Sequence, residues 1–415
     1  MTLDRLLGAL PDQADLTALR QALLRASVLD MSRTWGRSSA YATFDKRVLR
    51  TDALRDLIAH SARDEHARID ALYAAVAELL QHVAAGDDAA ACLTLIGIGE
   101  AAEGRDDLQG AVTYYESAAR LSVSSPEHKP RILALRHLAR VHLGLGDMDS
   151  ASSYYRAALE QARASNDVEW QIVAFTGLGN VLSLQGKWRE AIDNYETARA
   201  LCGTGYAHQR AQLAINLASM HREQGDLEQS AAHLAAAADL WSELSRAEQS
   251  AWYNNRGLLA LASGEFESAE TSFRQGLEAA ETDFARAMRL DNLAELFIRR
   301  GNLIEAEDNA RAAEDLALRA QSPRALAEIY TRLGKIFRLR SDLNGVTFFE
   351  KALELCRGRS YPFTEANAYL EYGLFRRDLG DVEEARSYLQ RARQLCAEIG
   401  AEQLGRAAAE AATRI

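Results

Sequence analysis

Three asparagines, Asn216, Asn255 and Asn292, stand 39 and 37 residues apart. A side-chain amide offers both donors and an acceptor, the pairing that holds an extended peptide backbone. Asparagine is also a mediocre helix former, so its recurrence inside helical sequence points to a use for the amide. Arg332, Lys335, Arg338 and Arg377 follow further along, and Arg136 and Arg140 lie before them. Guanidinium groups bind carboxylates in a fork, which suits an acidic group on a partner. These are binding groups. Turnover chemistry is missing from the sequence, with no HExxH, GxSxG, phosphate-cradling GxxxxGK[ST] or GxGxxG ahead of a helix.

The remaining candidates read as structural. Ile96-Gly97-Ile98-Gly99-Glu100 follows no strand, Asp64-Glu65-His66 is isolated, and so are His137 and His142. Glu383 and Glu384 open a helix, where acids complement its dipole. Cys202, Cys356 and Cys396 each follow a leucine at equivalent places about 40 residues apart or more, and with Cys92 they form no CxxC pair. Thiols repeated in this way are small packing residues, expected to be reduced, and no metal or cofactor is expected.

What positions the binding groups is a repeated turn. It falls at Asp106, Gly146, Gly186, Gly225, Gly264, Gly301, Ser341 and Gly380, at intervals of 37 to 40 residues. A period of that size signals stacked helix pairs. Seven residues before each turn sits Gly99, Ala139, Gly179, Ala218, Gly257, Ala294, Gly334 or Gly373. Five residues after it comes a small residue, Ala111, Ala151, Ala191, Ser230, Ala269, Ala306 or Ala385, with Val346 in repeat seven, where a shift of one puts Gly345 and Ala352 in register. Large residues four further on, Tyr115, Tyr155, Tyr195, Leu234 and Phe273, are expected to fill the space that the small residues leave on the facing helix. Repeats one and seven lack the turn glycine and repeat six has Ala310 in place of the ring, so those three are expected to be distorted. Pro126, Pro130, Pro323 and Pro362 fall between repeats.

Asn216, Asn255 and Asn292 each lie nine residues before their own turn, as does Arg332. Stacking therefore predicts one row. Offsets of three, six and ten add Arg136, Arg140, Asn180, Ser219, Arg222, Asn254, Asp291, Glu295, Lys335, Arg338 and Arg377 to that wall. An internal use stands beside the binding one: each amide bonds within its repeat or to the next helix, and the cations form intrahelical ion pairs on a solvated face.

Composition fits a helix-rich chain of 415 residues, 48% hydrophobic and 26% charged with 5 prolines. The net charge of −11 argues against general nucleic-acid binding. No stretch reaches membrane-spanning length and the opening residues make a poor signal peptide, so the expectation is a cytoplasmic protein without membrane insertion. Residues 86–400 are expected to be the array, and 401–415 a capping helix. Residues 1–85 are expected to be a helical cap or an effector segment, with a polar and aromatic loop at 31–50 in which Trp35, Tyr41 and Phe44 stand among Arg33, Arg37, Lys46 and Arg47.

The small residue, turn glycine and two further small residues at these offsets resemble the tetratricopeptide repeat. Its lengthened form, in kinesin light chains and Pins-like adaptors, is similar at Leu213-Ala214-Ile215-Asn216-Leu217-Ala218, Tyr253-Asn254-Asn255-Arg256-Gly257 and Leu290-Asp291-Asn292-Leu293-Ala294. The resemblance implies an all-α, right-handed superhelical solenoid of about eight hairpins whose first helices line a groove for a peptide or a partner segment. It implies a non-enzymatic adaptor. The alternative is a peptide-responsive regulator with the N-terminal segment as its output.

Overall fold

The computed structural model describes residues 82, 86–103, 108–123, 127–357 and 361–414. Among them are seventeen α-helices and no strand. They run as eight hairpins and a final helix. Hairpin one is α1 (Asp88–Glu103) with α2 (Leu108–Leu121), and hairpin two is α3 (His128–Leu145) with α4 (Met148–Ala164). Hairpin three pairs α5 (Val168–Leu184) with α6 (Trp188–Cys202), and hairpin four pairs α7 (Ala207–Gln224) with α8 (Leu227–Ala238). Next come α9 (Arg246–Ala262) with α10 (Phe266–Ala279), then α11 (Asp283–Arg299) with α12 (Leu303–Arg319). Hairpins seven and eight are α13 (Pro323–Leu339) with α14 (Gly345–Cys356), and α15 (Pro362–Asp378) with α16 (Val382–Ile399); α17 (Glu402–Thr413) follows. The turn at Asp106, Pro126, and the expected helices and loop of residues 1–81 lie outside the described residues.

The described turns close as the spacing predicts. Gly146, Gly186, Gly225, Gly264, Gly301 and Gly380 all have φ between 75° and 86°, a region where a side chain is strained. Ser341 takes the same left-handed conformation at 56° without being glycine, a cost on the order of 1 kcal/mol. Hairpin seven is the one that deviates: α14 begins four residues after its turn rather than two. Gly345 then approaches Gly334 O, and Ala352 is fully buried, in the shifted register. Hairpin six is regular despite Ala310, which is fully buried.

Small residues face large ones across hairpins one, three, five and seven. A methyl group at Gly99 would come within 2.5 Å of Tyr115, one at Gly257 within 2.5 Å of Phe273, and one at Gly334 within 2.7 Å of Phe349. Gly179 meets Tyr195 in the same way. Helix starts are fixed locally: Ser245 and Glu248 form a capping box at α9, and Ser322 caps α13 ahead of Pro323.

The chain divides into two compact units, residues up to 145 with 149–170, and 146–148 with 171–415. In the first, Ala91, Leu95, Ile98, Tyr114, Tyr115 and Leu138 form the main core. In the second, the C-terminal hairpin returns onto hairpins three and four. Trp188 meets Phe363 edge-on at 5.4 Å, Ile399 packs on the Gly186 turn, and Gln403 packs on the Gly225 turn. A cleft of about 720 Å³ lies along this seam, lined by Trp188, Asp193, His221, Glu398 and Gln403 among others.

Candidate functional site

The first helices carry the amides. Asn216 on α7, Asn255 on α9 and Asn292 on α11 are half-buried, and each uses one donor to reach back to the preceding first helix. Asn216 donates to Asn180 Oδ1 at 3.4 Å, Asn255 to the Ile215 carbonyl at 3.2 Å, and Asn292 to Asn254 Oδ1 at 2.7 Å. Asn180 Oδ1 also accepts from the Tyr195 hydroxyl at 2.7 Å. The amides are therefore rungs between successive hairpins, as the internal reading of the sequence held. No hydrogen bond among the described residues reaches the Oδ1 atoms of Asn216, Asn255 or Asn292. A carbonyl oxygen has room for two donors and each Nδ2 keeps a second N–H, so the row still presents acceptors together with donors.

The same register continues with charge. Arg332, nine residues before its turn, reaches back to Asp291 at 3.1 Å and also to Glu295. Lys335 joins Glu295 at 3.0 Å to Glu371 at 3.4 Å, and Arg338 joins Glu371 at 3.3 Å to Asp378 at 2.9 Å. Arg377 also bonds Asp378, at 2.8 Å. Arg332, Lys335, Arg338 and Arg377, which the sequence offers to a partner's carboxylate, are held by carboxylates of the chain itself. The reason is spacing: first-helix positions recur about every 40 residues, so acids on one hairpin face bases on the next, and half-buried cations are costly without a partner. Apart from Arg377–Asp378, which lies within α15, these pairs cross between helices, where intrahelical pairs were the expected alternative. Burial alone would raise the Glu295 carboxyl, but Arg332 and Lys335 outweigh it and hold it down at about 2. Burial disfavours the charge on Arg332, yet Asp291 and Glu295 raise its affinity for the proton.

Hairpin two carries a residue that the sequence reading set aside. His137 also lies nine residues before its turn, and it too reaches back, with Nε2 3.5 Å from Glu100. Its Nδ1 lies 3.2 Å from Arg140 Nη2, which also bonds Glu103 at 2.7 Å. The ring is buried and stacks on Tyr115 at 4.9 Å. Burial first, then the charges of Arg140 and Arg136, push His137 down to about 4, so it is neutral at pH 7 and accepts from Arg140. Arg136 has no ion pair among the described residues, whereas Arg222 bonds its neighbour Glu223 at 2.6 Å. The signal that could have found His137 is the offset alone.

One further buried cation has no such account. Arg289 on α11 is nine-tenths buried and its Nε has no partner among the described residues. Burial pushes it down to about 10. Twelve residues before their turns, the other hairpins of the second unit have apolar residues such as Leu213, Trp252 and Ile329.

All four cysteines are free and buried, and burial pushes Cys92 and Cys396 up to about 11, which leaves them unreactive. Among the described residues, no cluster of three metal-ligating side chains occurs, and no helix is long and apolar enough to cross a membrane.

Residues 131–203 and 209–282 match one tetratricopeptide repeat profile, and residues 366–398 match another. The chain belongs to the tetratricopeptide repeat proteins. The matches are to the repeat in general and do not single out the kinesin light chain type. No curated protein matches the chain. Among solved structures it is similar to the apo form of the quorum sensor NprR from B. thuringiensis, 14% identical over 83% of this chain and 97% of that one, with a TM-score of 0.56. A Rap protein complexed with competence and sporulation factor is 11% identical over 79% of this chain and 97% of that one, with a TM-score of 0.55. The Cut9–Hcn1 hetero-tetramer of the APC/C is 15% identical over 95% and 74%, with a TM-score of 0.51. At these identities the likeness is one of fold, an all-α solenoid of tetratricopeptide repeats.

Proposed function

We propose that this tetratricopeptide repeat protein is a non-enzymatic adaptor that holds an extended segment of a partner along the first helices of hairpins three to six. Family membership supports a protein-interaction role. The observation that carries the finer reading is the amide row, in which one donor of each asparagine is used inside the array and the oxygen is left over. A partner for such a row supplies donors to the free oxygens and acceptors to the remaining N–H groups, as an extended backbone does, rather than the acidic groups expected from the cations. Changing Asn216, Asn255 and Asn292 together to alanine is expected to abolish capture of the partner while helicity stays intact. Unchanged capture removes the basis of the proposal.

A second reading has its own support. Two structures of similar fold are a Rap protein complexed with competence and sporulation factor and a quorum sensor. On this reading a short peptide seated on the same wall changes the curvature of the second unit, and residues 1–85 are the output. The seam onto hairpins three and four, with its cleft of about 720 Å³, is a contact that such a change would open. Titration with short peptides followed by small-angle scattering separates the readings, since no change in compaction at saturation contradicts the switch.

A further inference from the structure

Two residues after every turn stands an apolar residue: Leu108, Met148, Trp188, Leu227, Phe266, Leu303, Leu343 and Val382. A position kept apolar in seven hairpins, and next to which Leu343 stands in the shifted register of hairpin seven, is built to be covered. In the second unit it is covered in hairpin three and exposed in hairpins seven and eight. Trp188 in hairpin three is 6% exposed, Leu227, Phe266 and Leu303 are half-buried, and Leu343 and Val382 in hairpins seven and eight are 64% and 40% exposed.

The cause is visible at the covered end. Hairpins have two edges, one made of their internal turns and the other of the links between hairpins. On hairpins three and four the turn edge lies under link-edge residues of the same chain: Phe363 on Trp188, Ile399 on the Gly186 turn and Gln403 on the Gly225 turn. The turns at Gly264, Gly301 and Gly380 have nothing within 4 Å of where a side chain would begin. On hairpins seven and eight the bare edge is widened by exposed Leu339 and Leu379. The chain also leaves the other half of this contact unused, because Phe284 and Leu318, on the link edges that flank hairpin six, are exposed as well.

We infer that the turn edge of hairpins seven and eight takes the link edge of a second copy of this chain, continuing between molecules the seam that each molecule makes within itself. A contact between unlike edges is heterologous: each copy keeps one free edge of each kind, so association does not stop at two. The occupant follows from continuity, since link-edge residues of this chain are what cover the turn edge of hairpins three and four.

Sedimentation of the full chain across a concentration series tests this with two variants, Leu343→Asp with Val382→Asp on the turn edge, and Phe284→Asp with Leu318→Asp on the link edge. All four residues are exposed, so circular dichroism is expected to match the unaltered chain, and the result for the unaltered chain stands whatever the variants do. The expectation is stepwise association for the unaltered chain and weakening by about tenfold or more in either variant alone. An equimolar mixture of the two variants is expected to form a dimer that grows no further, because one intact pair of edges remains. A chain that is monomeric at every concentration overturns the inference. So does association that neither variant weakens, or that the turn-edge variant abolishes and mixing fails to restore, which would mark a symmetric contact.

Discussion

Hairpins four to six and hairpins seven to eight use the same register positions on their first helices for different ends. In the earlier run, the residue nine before the turn is asparagine, each reaches back with one neutral hydrogen bond, and an oxygen is left over. In the later run the position holds Arg332 and then Glu371, and both are closed into a network with Asp291, Glu295, Lys335, Arg338 and Asp378. Geometry is shared and capacity is not. A charged residue on this wall is neutralised by its neighbours and stiffens the stack, whereas an amide joins the stack and still offers an acceptor. Where a solenoid binds is decided by what its internal contacts leave unused.

That contrast can be broken most forcefully at Arg332. Arg332→Ala leaves Asp291 and Glu295 buried without their main counter-charge, and urea unfolding is expected to show a loss of about 3–5 kcal/mol. The same position in hairpin two sharpens the comparison through pH. His137 sits at about 4 in the folded chain against an ordinary 6.5, so the folded state binds fewer protons. Its contribution is present in full above about 6.5 and is lost as pH falls through about 4, on the order of 3 kcal/mol. His137→Gln is expected to flatten stability in that window. The Glu295 contribution is present above its ordinary 4.5 and is lost only as pH falls from there toward about 2, so the two windows share only the narrow range near pH 4.

Smaller effects come from residues outside the two networks. Arg289 shows what an ionic residue costs here without a partner. Arg289→Leu is expected to raise stability by about 1–3 kcal/mol in the same unfolding measurement, the penalty of an unsatisfied buried group. The smallest change is at a single rung: Asn255→Ala removes one bond, to the Ile215 carbonyl, and is expected to lower stability by about 1 kcal/mol. A loss at Asn255 as large as that at Arg332 would erase the distinction between the two runs.

Much of this was legible in the sequence because it depends on spacing. The turns, the close approach of Gly257 to Phe273, the displaced register of hairpin seven and the row of asparagines all follow from offsets read against one repeated turn. The partner of each side chain does not. Periodicity places Arg332 beside Asp291 and Glu295 but is equally consistent with all three facing a ligand, and only coordinates show that the cation closes on the acids. His137 and Glu371 occupy the asparagine register and could have been found by the same offset, yet neither residue type drew attention as part of a row. The return of Ile399 and Gln403 onto hairpins three and four depends on a small rotation added at every hairpin, which no single repeat encodes.

The central claim is that the leftover acceptors of the amide row hold a partner while the ionic run serves the scaffold. Affinity capture from the native source with quantitative mass spectrometry tests it most directly, comparing the unaltered chain, the triple change of Asn216, Asn255 and Asn292 to alanine, and Arg377→Ala as a cation control. The account predicts a defined set of captured proteins that the triple variant loses and the Arg377 variant keeps, with both variants as helical as the parent. Capture that survives the triple change, or that is lost with Arg377 alone, would contradict it.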